Sequence, residues 1–72
     1  MGDFVFTDIQ RTIILALAEC DLKVDRVAKK LYRSKGGIYY HIEKIKRITG
    51  KDPRKFYDLV DLLHMIEESY NE

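Results

Sequence analysis

A chain of 72 residues with a net charge of +1, 46% hydrophobic and 35% charged side chains, makes one small domain and excludes both wholesale disorder and a large enclosed pocket. Its single cysteine, Cys20, excludes an internal disulfide framework and points to a reducing cytoplasm. The longest apolar run, Ile13 to Ala18, falls far short of the ~20 residues that span a bilayer, and the start, MGDFVFTD, shows neither the basic flank of a secretory leader nor a myristoylation signal.

Thr7 followed three residues later by Gln10 is a capping box, so a first helix is expected to begin there. Ile9, Ile13, Ala16, Leu17 and Cys20 form its apolar stripe, and Ile14, Leu15 and Ala18 widen it toward burial on more than one side. Asp21 and Leu22 break the pattern. A short second helix, from about Val24 to Leu31, turns Val24, Val27, Ala28 and Leu31 inward. Ala28 supplies the small side chain that a steep helix crossing needs, and Ile38, ten positions on, is the matching anchor. Tyr32, Arg33 and Ser34 make the turn, with Ser34 as N-cap of a third helix from Lys35 to about Thr49. Ile38, Ile42, Ile45 and either Ile48 or Thr49 line its inner side, and Gly50 is placed for a left-handed cap. Asp52 and Pro53 read as N-cap and first-turn proline of a fourth helix whose buried stripe would be Phe56, Leu59, Val60, Leu63 and Ile66, fraying after Ser69. The expected organisation is a tail over 1–6, an all-α, four-helix domain over 7–68 and a tail over 69–72.

Charge is distributed unevenly along these elements. Residues 1–28 carry a net −2 and residues 56–72 a net −5, while Lys29 to Lys55 holds ten cations against Glu43 and Asp52, a net +8. At about 100° per residue, Gly36, Tyr40, Glu43 and Arg47 fall opposite the isoleucine stripe, with Tyr39 and Lys46 on one edge and Gly37 and Lys44 on the other. Two short helices, a tight turn and a cationic outer face are the pattern of a helix-turn-helix that reads double-stranded DNA. The phosphate candidates are Lys35, Lys44, Arg47 and either Lys29 or Lys30; Lys51, Arg54 and Lys55 could also grip the backbone. Lys35, Tyr39, Tyr40 and Lys44 are placed to approach base edges.

The same stretch resembles the C-terminal helix-turn-helix module of PucR-type bacterial transcriptional regulators, a relative of the Fis-like DNA-binding fold, from about Ile13 to Ile66. The best-matched residues are Val24, Ala28, Leu31, Ile38, Tyr40, Ile42, Ile45, Ile48, Thr49 and Gly50. After the turn the family runs close to H-R-N-T-L-R-Y-R-L, and here the residues are Ser34, Lys35, Gly36, Gly37, Ile38, Tyr39, Tyr40, His41 and Ile42. Gly36 and Gly37 thus stand where the family has Asn and Thr, and Arg33 where it prefers an apolar residue. The resemblance implies transcriptional regulation in a bacterium or phage, while the charge and spacing of the residues themselves put the expected DNA contact on Lys29, Lys30, Arg33, Ser34, Lys35, Gly36, Gly37, Tyr39, Tyr40, Lys44 and Arg47. The glycine pair has two readings: bare backbone that lets a phosphate come close, or a recognition helix that has lost its base-reading side chains.

His41, His64 and Cys20 lie on three different helices without ligand spacing, so no metal site and no cofactor is expected. His41 reads as a partly covered packing residue or an extra phosphate donor. No nucleophile–base pair or phosphate-cradling loop marks an enzyme or a small-molecule site, and the basic helix lacks the wide Leu, Phe and Trp face of a membrane-surface segment. The first helix, with Phe4, Val5 and Phe6, is either a homodimer interface or a surface covered by the fourth helix. The alternative function is a protein-interaction module that keeps the fold and uses the first or last helix.

Overall fold

The computed structural model describes residues 6–70, and all regular structure among them is helical: α1 (Asp8–Glu19), α2 (Val24–Lys30), α3 (Lys35–Thr49) and α4 (Phe56–Tyr70). The expected capping box is present at the start of α1. The Thr7 hydroxyl accepts from the Gln10 N–H at 3.2 Å and the Gln10 side chain accepts from the Thr7 N–H at 2.9 Å. α1 is the hub of the fold, packing on α2, α3 and α4, while α2 packs on α3. Ile13, Ile14, Ala16 and Leu17 are buried in that hub, with Ile9 and Cys20 half-buried beside them. Leu15 and Ala18 face outward. Phe6 is buried in the same core, so the described part of the expected N-terminal tail is anchored; Phe4 and Val5 lie outside the described residues.

The turn between α2 and α3 is held by its backbone. Tyr32 adopts a left-handed conformation (φ 56°), letting Arg33 N–H donate to the Ala28 carbonyl at 2.9 Å and Tyr32 N–H to the Lys29 carbonyl at 3.2 Å. That leaves the Tyr32 side chain almost wholly in solvent. Ala28 and Ile38 are both buried, as the crossing of α2 on α3 requires. Ile38, Ile42 and Ile45 are each sealed from solvent. Of the two candidates for the end of that stripe, Ile48 is half-exposed, whereas Thr49 is partly covered and its hydroxyl donates to the Ile45 carbonyl at 2.7 Å. Gly50 closes α3 at φ 75°.

The fourth helix departs from expectation. Asp52 and Pro53 do not begin it; α4 starts at Phe56. Asp52 instead folds a separate turn, its carboxylate accepting from Arg54 N–H at 2.9 Å and its carbonyl from Lys55 N–H at 3.0 Å, with Pro53 buried in the middle. The inner stripe of α4 is Leu59, Leu62 and Ile66, with Val60 and Leu63 half-buried. Phe56, expected inside, is 61% exposed. No helix among the described residues is long and apolar enough to cross a membrane.

Candidate nucleic-acid interface

Everything that positions the candidate face follows from α3 lying with its isoleucines on α1 and α2. The opposite side then carries Gly36, Tyr40, Glu43 and Arg47 outward, and all four are exposed. At its leading end Ser34 accepts from the Gly37 N–H at 3.1 Å, the N-cap bond expected there. The first turn has no acidic residue, and Lys35 occupies it. A cation at the positive end of a helix opposes the macrodipole and costs ~0.3–1 kcal/mol, but it adds its field to that of the free amides where an anion would sit. A side-chain carbon at Gly36 would meet nothing within 4 Å, so the fold itself does not require glycine there; at Gly37 it would lie 3.3 Å from the Ser34 hydroxyl.

The basic block divides into two populations. One part is neutralised within the chain: Lys30 pairs with Glu19 (3.4 Å), Lys51 with Asp61 (3.1 Å), Lys46 with Glu43 (3.7 Å) and Asp52 (3.9 Å), and Arg54 with Asp52 (3.1 Å) and Glu43 (4.0 Å). Lys29, Arg33, Lys35, Lys44, Arg47 and Lys55 form the other part; they are exposed, and among the described residues none has a carboxylate within 4.0 Å. Five of these six lie on α3, the end of α2 or the turn between them. Of the side chains expected to grip phosphate, Lys30, Lys51 and Arg54 are thus held by intramolecular partners.

The tyrosines are held by cations. Lys44 Nζ stands 5.5 Å from the centre of the Tyr40 ring, and Arg54 Cζ 5.7 Å from that of Tyr39. Tyr40 is 60% exposed and Tyr39 41%, so both rings keep a free side. His41 meets Tyr40 edge-on with ring centres 5.3 Å apart. Burial first, then the charges of Arg33 and Lys44, hold its imidazole below the usual range, so it stays neutral near pH 7. Glu43, on the outward face, was legible from helical spacing but outweighed by the cations around it. The Arg54–Tyr39 contact had no sequence signal, since it joins a loop to a helix fifteen positions earlier.

No group of three or more His, Cys, Asp or Glu side chains among the described residues could hold a metal ion. The family model described as the PucR C-terminal helix-turn-helix domain matches residues 11–67. No curated protein and no solved structure matches the chain.

Proposed function

We propose, since the chain belongs to the PucR C-terminal helix-turn-helix family, that it binds double-stranded DNA with α3 in the major groove and acts in transcriptional regulation in the cytoplasm of a bacterium or phage host. The observation that carries this reading is the concentration of exposed cations without a carboxylate partner in one stretch: Lys29, Arg33, Lys35, Lys44 and Arg47 lie on α3 and the elements leading into it. Each such cation displaces condensed counterions from a phosphate, while the exposed rings of Tyr39 and Tyr40 reach toward sugars and base edges. Gly36 presents bare backbone at the helix start beside Ser34 and Gly37, whose own N–H is taken by the Ser34 hydroxyl, and Lys30 joins them once its pair with exposed Glu19 opens.

A homodimer would place two such faces on half-sites about 34–36 Å apart. An interface on α1 would use Leu15 and Ala18, because Ile13, Ile14 and Leu17 are consumed by the core. Sedimentation with and without duplex measures that stoichiometry.

The deciding test is an amide-shift titration with random-sequence duplex, repeated at rising salt. Shifts are expected from Lys29 through Arg47, and log affinity should fall by about 0.9 per log unit of salt for each phosphate neutralised. Affinity for duplex that ignores salt, or shifts confined to α1 or α4, would overturn the assignment and favour a protein partner.

A further inference from the structure

We infer that Glu43 is a base-reading residue of α3 and selects a cytosine, an assignment that rests on the duplex-binding reading above. Glu43 stands in the middle of the outward face, one helical turn after Tyr39 and Tyr40 and one turn before Arg47. A carboxylate at that position is repelled by phosphates, so a face that served only to grip the backbone would gain affinity without it. Its side chain is 54% exposed.

The surrounding cations orient this carboxylate without using up its acceptors. Lys46 Nζ lies 3.7 Å from Oε2 and Arg54 Nη2 lies 4.0 Å from the same oxygen, both beyond hydrogen-bond distance. Arg54 is itself fixed, by two side-chain hydrogen bonds to Asp52 and by its position over the Tyr39 ring. Lys46 also faces Asp52. Glu43 therefore sits beside two cations that lower the cost of bringing an anion near the duplex, and neither of them donates a hydrogen bond to its carboxylate.

Base chemistry in the major groove then selects the partner. An ionised carboxylate only accepts hydrogen bonds, guanine offers it N7 and O6, and thymine offers it O4, all acceptors. Adenine has a donor at N6 with the N7 acceptor beside it, whereas cytosine N4 donates with no acceptor exposed on its groove edge. Cytosine is the base that satisfies Glu43 without repelling its second oxygen.

The test is selection of bound duplexes from a random library by the full chain, by Glu43→Gln and by Glu43→Ala, with helicity of each measured by circular dichroism. The original protein should favour cytosine at one position by about tenfold. Glu43→Gln, which both accepts and donates, should move that preference to adenine, and Glu43→Ala should erase it while tightening overall binding. An original protein that binds all duplexes alike, or the same base favoured by all three folded proteins, would overturn the role of Glu43 and leave duplex binding intact. Failure of the original protein to retain any duplex would instead remove the reading on which the inference rests.

Discussion

Asp52 accepts three hydrogen bonds from Arg54: one from its backbone N–H at 2.9 Å, one from Nε at 3.1 Å and one from Nη2 at 3.2 Å. Burial pushes the Asp52 carboxyl up, but the side-chain and backbone hydrogen bonds from Arg54 and the charges of Arg54 and Lys46 together hold it below the usual carboxylate range. A carboxyl depressed in the folded state contributes stability above its unfolded pKa of about 3.9 and loses it as pH falls through the lower folded value. Asp52→Asn is expected to cost about 1–2 kcal/mol at pH 7, and the difference from the unaltered protein should shrink progressively below about pH 4. Urea melts across that range check it; a deficit that persists at pH 2 would contradict the charge-based account.

Phe56 and Leu62 should respond in opposite ways to truncation. Leu62 is sealed in the core and Phe56 is 61% exposed. Leu62→Ala is expected to destabilise by about 2–5 kcal/mol, and Phe56→Ala by no more than about 0.5 kcal/mol. Thermal denaturation distinguishes this from the arrangement in which Phe56 heads the buried stripe.

Replacing Gly36 separates the two readings of the glycine pair. The site is helical and open, so Gly36→Ala should stabilise by up to ~1 kcal/mol through helix propensity. If bare backbone meets the duplex there, the same change should weaken DNA binding by about fivefold, roughly 1 kcal/mol. Stabilisation with unchanged affinity would mark the pair as a relic of lost readout.

Lysines of the basic block should differ according to their partners. Lys35→Ala and Arg47→Ala are expected to lower the salt slope of duplex binding by about one each. Lys51, bonded to Asp61 at 3.1 Å, should leave the slope unchanged when replaced by alanine and cost at most about 1 kcal/mol of stability. Anisotropy titrations at several salt concentrations provide the comparison; equal slopes for all three variants would dissolve the distinction between paired and unpaired cations.

Much of this architecture is written in short-range pattern. The Thr7–Gln10 box, the Ser34 N-cap, the isoleucine spacing of α3 and the Gly50 cap each depend on residues within one or two turns of one another, and all four are present. The outward set on α3 follows from the same periodicity. Asp52–Pro53 misled because the local signal for a helix start and that for an Asx turn use the same residues, and only the contacts of Arg54 and the burial of Pro53 choose between them.

The amino-acid order by itself therefore determined the first three helices, the isoleucine inner face of α3 and the block of charge between Lys29 and Lys55, because each is a matter of spacing along one rod. Tertiary structure decided which of those cations stay free. Lys30 reaches Glu19 on α1, Lys51 reaches Asp61 on α4, and Arg54 returns to Tyr39 and Glu43 on α3. Ion pairing falls off over a few ångströms, so net charge along the chain says nothing of it until packing sets those distances.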